Sequence, residues 1–430
     1  MKWLQHPNWS IKPGIVFSAR FRNCAAAASI GQPSAPRSAF PIRSRKSASV
    51  KARRLSFPSN SETSMTLHEH TSDRRNLEWV NAALKRLTVD IHDRCVGSEN
   101  NQAATTGFET QLEDNGWSTE TRRFYAVDRQ GGDARLEARD GTAFEVRASP
   151  YSPGCTATGR LKAVSTIEGL EKADAVGALL LLHGDVAREP LMPKNFPFFA
   201  VEDHQRIIAG LEGSGAAAII TTTAPGSVTA GGAYPAPMIE DGDFNMPSVY
   251  MTQKEGECLL RFNGRQLTLN SNCRRIQSKA ANIVGRINEG AAKRIVIAAH
   301  IDAKKDVPGA LDNGTGVATL LLLSSLLTDY AGDFCIELVA LNGEDRYAVP
   351  GQLARVTANR GGFDTVALNI NIDGVGYIDG DTAYSFFNLP DDMKELASAR
   401  LLGTPGTVEG IQWPQGDHSS LFNQDVQPSP

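Results

Sequence analysis

The sequence predicts an α/β fold: a mostly parallel or mixed sheet sandwiched by helices, with a β-rich domain inserted ahead of it. Three observations point there. From "ANIVGRI" onward, near-continuous apolar strands alternate with helices: "RIVIAA", "GVATLLLLSSLL", "CIELVAL", "TVALNINI" and "DDMKELASARLL". Strands of that kind, separated by helices, belong to a sheet buried on both faces. Between residues 151 and 278 the pattern differs, with short apolar runs broken by Gly and Pro. Residues 1–64 are rich in Ser, Ala and Arg and have no amphipathic period.

The 430 residues, 41% of them hydrophobic, suit two domains plus a tail. No apolar run approaches the roughly 18 residues needed to span a bilayer, so no membrane span is expected. The formal net charge of −4 hides an asymmetry. Residues 1–64 hold eleven Lys and Arg against one acid, Glu62, whereas residues 65–430 hold 33 basic and 47 acidic side chains. An acidic body without a basic stripe argues against a nucleic-acid partner.

Residues 1–64 are read as a disordered tail. Their composition also fits a transit segment, or sequence upstream of a start at Met65. From Asp73, "DRRNLEWVNAALKRLTVDI" repeats apolar residues three and four apart, as a helix does. Ser98 or Asn100 can cap a second helix ending near Asn115-Gly116. "STETRRFYAV" alternates like a strand, and "ARLEARDGTAFEVRA" reads as a hairpin turning at Asp140-Gly141. Residues 65–150 thus form the N-terminal part of the main domain.

In the 151–278 insert, "VGALLLLHG" and "GAAAIITTT" read as buried strands, and "MPSVYMTQKEGECLLRF" as a strand followed by a helix. His183 and His204 are placed in loops without partners at ligand spacing, as satisfied or solvent-facing residues. Residues 279–430 carry the alternating strands and helices. The six Cys (Cys24, Cys95, Cys155, Cys258, Cys273, Cys335) form no CxxC. Neither a disulfide framework nor a Cys-ligated zinc site is expected; a reducing, cytoplasmic compartment is.

In open α/β sheets, ligands bind beyond the carboxyl ends of the strands, and there the polar residues gather. "RIVIAA" runs into His300 and Asp302, "CIELVALN" into Glu344 and Asp345, and "TVALNINI" into Asp373. Asp312 lies in the loop opening the next long helix, and His418 follows another loop at a helix start. Singly, Asp312 could cap its helix, and Glu344 and Asp345 could be a solvated loop pair. Together, three successive strand ends bearing His and carboxylates converge on one crevice. Two His and several carboxylates, without Cys, suit a borderline divalent ion such as zinc. Asp312, between His300 and the other ligands in sequence, is the natural bridge between two ions.

The chain resembles metallopeptidase family 28, the di-zinc aminopeptidase family. "AAHIDA", "GALDNGTGVATLL", "VALNGED", "NINIDGVG" and "QGDHSSLF" carry the likeness, in order, over roughly residues 281–425. "RCVGSENNQAATTGFETQLEDNGW" is similar to the family's N-terminal helix. The 151–278 insert resembles a protease-associated domain through "GALLLLHGD", "GAAAIITTT" and "MPSVYMT".

The resemblance implies a zinc exopeptidase fold and two zinc ions per chain. His300, Asp312 and Asp373 would hold one ion, and Asp312, Asp345 and His418 the other. Glu344 would be the general base, and Asp302 would orient His300 through its far N–H. The implied activity is aminopeptidase, with peptides as substrate. Paired cations can lower the pKa of a water held between them, and Glu344 would carry its proton to the leaving amine. A same-fold carboxypeptidase, a single-zinc glutaminyl cyclase and an inactive peptide-binding homologue are the alternatives. Glu344-Asp345 stands where many members have Glu-Glu. The likeness also implies a further strand and a closing helix after the last His, whereas twelve residues follow His418. An open sheet edge and a loosely anchored His418 are therefore expected. Trp413 is a candidate pocket wall.

Overall fold

The computed structural model describes residues 14–18, 74–91, 93–189, 191, 194, 201–223, 244–305, 307–345, 349–359, 362–412 and 416–421. The chain divides into Met1–Arg20 with Val80–Pro430, and Phe21–Trp79. Of the second unit, the described residues are the start of the first helix.

The strands are β1 (Gly14–Ser18), β2 (Ser118–Gln130), β3 (Ala134–Ala138), β4 (Ala143–Phe144), β5 (Arg147–Ala148), β6 (Cys155–Val164), β7 (Leu179–Leu182) and β8 (Ala218–Thr222). They continue with β9 (Ser248–Met251), β10 (Gln266–Ser271), β11 (Arg274–Ile287), β12 (Lys293–His300), β13 (Phe334–Leu341), β14 (Val366–Asp373), β15 (Thr382–Phe387) and β16 (Thr407–Glu409). The helices are α1 (Arg74–Lys85), α2 (Glu99–Asp114), α3 (Ile167–Glu171), α4 (Glu202–Gly213), α5 (Gln253–Leu260), α6 (Thr315–Leu326), α7 (Pro350–Ala358) and α8 (Asp391–Leu401). No described helix is long and apolar enough to cross a membrane.

The first sheet runs β16-β15-β1-β14-β12-β13-β11-β2. Its centre, β14-β12-β13, is parallel, while β11 and β2 complete it in antiparallel fashion. On one face Val296, Ala298, Val339 and Leu341 pack with Val284, Phe363 and Val366. The alternate residues Ala299, Leu338 and Ala340 are equally buried, so both faces are covered, as the continuous apolar runs predict. Helix α6 packs on β12 and β13, and α2 on β11. The close approach of α2 depends on Gly285, where a Cβ would lie 2.6 Å from Leu112 Cδ1. Helix α2 starts as predicted, with the Ser98 hydroxyl accepting from Asn101 N at 3.0 Å. The same sheet order brings the carboxyl ends of β12, β13 and β14 to one edge.

The second sheet runs β4-β3-β10-β6-β7-β8-β9-β5. Strand β7 shows why its core forms. Leu179 and Leu181 enter one apolar cluster and Leu180 and Leu182 the other, so a four-Leu strand serves both faces. The insert starts earlier than residue 151, because the predicted hairpin β3-β4 and strand β5 pair within this sheet. It also ends before 278, since β11 from Arg274 belongs to the first sheet. His204 is corrected too: it lies in α4, buried, with Nε2 3.5 Å from Glu189.

The reading of residues 1–64 as a tail is corrected at Gly14–Ser18. These residues form β1, antiparallel to β14 (Gly14 opposite Asp373) and parallel to β15 (Gly14 opposite Ala383). "GIVFS" combines apolar, β-branched and aromatic residues that favour strands. Pairing on both sides satisfies the backbone groups of β1 and of the β14 flank that it covers. Among the described residues β15 and β16 join the sheet only through β1. Val16→Pro removes one N–H from the middle of that strand and leaves an acceptor unanswered. It should cost about 1–3 kcal/mol and lower the melting temperature by several degrees. An unchanged thermal transition would show that residues 14–18 do not hold this place.

Candidate active site

Strand β12 ends at His300, whose side chain is fully buried. Its Nε2 lies 3.1 Å from Asp312 Oδ1, 3.5 Å from Asp373 Oδ1 and 3.8 Å from Glu344 Oε2. Candidate ligand atoms of His300, Asp312 and Asp373 all fall within 4.8 Å of one another. Among the described residues, neither Asp345 nor His418 joins such a group. Asp345 is on the Glu344 loop, its Oδ1 3.7 Å from Lys304 Nζ. His418 is buried in a 3-10 turn, Asp417–Leu421, with its ring 4.8 Å from that of Phe387. Trp413 lies outside the described residues.

The loops are held by buried polar side chains. Asp312 does not cap α6; its backbone (φ −111°, ψ 97°) is an irregular step ahead of that helix. Capping falls to Asn313, whose Oδ1 accepts from Gly316 N at 3.0 Å and Gly374 N at 3.2 Å. The Asn313 amide donates to Ile372 O at 2.9 Å. One buried amide therefore joins the loop of Asp312 to the strand end of Asp373. Gly316 is required for it, because a Cβ there would overlap Asn313 Oδ1 and Ile372 O.

Asp302 differs in detail from its expected role. His300 Nδ1 is nearest the Asp302 carbonyl, at 3.2 Å, with the carboxylate Oδ1 at 3.7 Å. The carboxylate instead accepts from Gly343 N (2.7 Å), Glu344 N (3.3 Å) and Asp345 N (3.2 Å). It clamps the loop bearing Glu344 and Asp345 to the end of β12.

Two contributors were missed in the sequence. Arg94, fully buried, donates to the carbonyls of Ile301 (2.9 Å), Leu87 (2.5 Å), Pro308 (2.9 Å) and Gly309 (2.9 Å). It shapes the segment between His300 and Asp312. The signal available was an Arg in the middle of "DRCVGSEN", inside the stretch that resembles the family helix. Asp417, beside His418, accepts from Gln352 Nε2 at 2.5 Å and is tied by it to α7.

The electrostatics are those of crowded acids. Burial, and after it the charge of Asp312, pushes the Asp345 carboxyl up to about 7. Burial first, with the charges of Asp373 and Asp302 adding to it, raises Asp417 to about 7 against the pull of His300. Glu344 is pushed well above the carboxylate range, again by burial first, with Asp373 and Asp345 adding to it. Burial opposes charge on His300, yet Asp373, Asp302 and Asp312 outweigh it and hold the imidazolium well above its usual range. Asp312 goes the other way: burial would raise it, but His300, Lys304 and Arg94 keep it ionised.

This arrangement can hold a divalent cation. One imidazole and two carboxylates converge, and His300 Nε2, though buried among them, has no hydrogen bond among the described residues. Residues 282–424 match the model of peptidase family M28.

That segment is similar to peptidase family M28.

The matched segment carries every predicted site residue, from His300 to His418. Among solved structures, an aminopeptidase from Aneurinibacillus sp. strain AM-1 is 19% identical with a TM-score of 0.58, covering 81% of this chain and 83% of that one. BSAP, a zinc aminopeptidase from Bacillus subtilis, is 18% identical with a TM-score of 0.59, covering 81% and 82%. A peptidase M28 precursor from Shewanella amazonensis SB2B is 15% identical with a TM-score of 0.56, covering 82% and 85%. At these identities the likeness is one of fold. No curated protein matches the chain.

The raised groups set a pH dependence for the metal-free protein. In the unfolded chain Asp345 and Asp417 lose their protons near pH ~4; folded, they keep them to about 7. Their contribution to stability is full below the unfolded pKa and is lost as pH rises through the folded one. His300, also raised, has the same sign. Chelator-treated protein should therefore melt at a lower temperature near pH ~8 than near pH ~5, and a divalent ion should reverse the trend. Calorimetry across that range is the check; a metal-free melting temperature that rises with pH would contradict it.

Proposed function

We propose that this chain is a zinc-dependent exopeptidase, an aminopeptidase that removes N-terminal residues from peptides. The observation that carries this reading is the gathering of His300, Asp312 and Asp373, with Glu344 Oε2 3.8 Å from His300 Nε2. The M28 match and the aminopeptidase fold of the structural neighbours support it. His300, Asp312 and Asp373 would hold the first zinc; Asp312, Asp345 and His418 would hold a second. Bound zinc supplies Lewis acidity toward a carbonyl oxygen and toward water.

The protein's own residues do the rest. Glu344 accepts a proton from the attacking water and passes it to the leaving amine. Burial raises its carboxyl well above the usual range, so that it holds that proton more readily. Asp302, through three backbone N–H groups, keeps Glu344 in place during both transfers. The surplus of carboxylates favours a substrate with a free α-ammonium over one presenting a carboxylate, which supports amino- over carboxypeptidase activity.

Glu344→Gln should retain zinc and lose turnover by about 10²–10⁴-fold on aminoacyl amides, since the amide cannot accept the proton. His300→Ala should lose the first zinc, measured by mass spectrometry. N-acetylation of the substrate should abolish cleavage. A near-normal kcat for Glu344→Gln would remove Glu344 from the role of base, and cleavage of acetylated peptides would remove the aminopeptidase reading.

A further inference from the structure

We propose that Lys304 is a built-in competitor for the second metal position, so that the two ions load in sequence rather than together. This rests on the metal-dependent reading above and concerns how its second ion is controlled. Two observations carry it. The first ligand group, His300 with Asp312 and Asp373, lies within 4.8 Å, and among the described residues Asp345 enters no such group. The Asp345 carboxylate is instead engaged by an ammonium, with Lys304 Nζ 3.7 Å from its Oδ1.

The placement follows from the chain. Lys304 comes two residues after Asp302, on the segment that Arg94 draws in through the carbonyls of Ile301, Pro308 and Gly309. Asp345 is drawn toward the same point, because its N–H is bound by the Asp302 carboxylate. One buried acid thereby sets the loop of Lys304 and the loop of Asp345 side by side. The Lys304 side chain is 40% exposed and that of Asp345 is 11% exposed. A long, partly exposed side chain can swing into solvent; a buried carboxylate cannot.

An ammonium in that position has two consequences. A divalent ion must displace it before using the Asp345 oxygen, and the displaced Lys stays tethered nearby as a like charge. Lys304 also acts on Asp312, the carboxylate that both ions would share. The first ion has His300 and Asp373 beside Asp312 and does not draw on the Asp345 oxygen that faces Lys304. It therefore binds at low zinc, whereas the second requires abundant zinc, and activity should rise over two separate ranges of zinc concentration.

The test is zinc titration of chelator-treated wild type, Lys304→Gln and Lys305→Gln, read by calorimetry and by ions retained per chain. Wild type should retain one ion tightly and a second weakly. Lys304→Gln should tighten the second by about tenfold at low ionic strength, and the gain should shrink with added salt. Lys305→Gln makes the same change in net charge one residue along and should leave both affinities near wild type. Two ions of equal affinity in wild type, or a Lys304→Gln variant no tighter than Lys305→Gln, would overturn the competitor role while leaving the first site and the proposed activity intact. A wild type that takes up no zinc would overturn the proposed activity and this inference with it.

Discussion

Carboxylates of one sign are held close together at the carboxyl edge of three parallel strands, with little water among them. That constraint governs most of what surrounds them. Asp312, Asp345, Asp373, Glu344, Asp302 and Asp417 cannot all be ionised in such a place without cations or protons to answer them. In the metal-free protein the answers are protons held more tightly by Glu344 and Asp417, the imidazolium of His300, the Lys304 ammonium beside Asp345 and the buried Arg94 guanidinium. A site that must be charged from within is one built to receive a cation.

Three buried side chains hold this arrangement against its own repulsion. Asp302 bonds the backbone of Gly343, Glu344 and Asp345; Asn313 bonds that of Gly316, Ile372 and Gly374; Arg94 bonds four carbonyls from Leu87 to Gly309. Each spends its polar groups on main chain rather than on the reacting groups. The ligand side chains are thus free to face a common point, while the loops that carry them are fixed by hydrogen bonds in a low-dielectric interior. The same economy makes the site sensitive to the sheet: β14 ends in Asp373, and its outer neighbour is the five-residue strand β1.

Much of the fold was legible because it rests on period and punctuation. The apolar runs of β12 to β14, the Ser98 cap, the hairpin at Asp140-Gly141 and the strand–helix pair at 248–260 are local patterns, and the structure has them. The boundary of the insert was not legible, since hairpin β3-β4 looks alike whichever sheet it joins; pairing with β10 decides that. Strand β1 was hidden for the same reason. Five apolar residues in a Ser- and Arg-rich segment carry no sign of the distant edge that they complete.

At the site, residue type and order alone marked His300, Asp312, Glu344, Asp345, Asp373 and His418, because ligands must lie where strands end and such side chains have few other reasons to recur there. What only the tertiary structure decided is how those groups divide. It joins His300, Asp312 and Asp373, sets Asp345 against Lys304, gives Asp302, 3.7 Å from His300 Nδ1, a clamp on a neighbouring loop as well, and brings in Arg94 from more than two hundred residues away in sequence. These outcomes depend on which backbone carbonyls and amides come within about 3 Å of a buried side chain, and spacing along the chain holds no record of that.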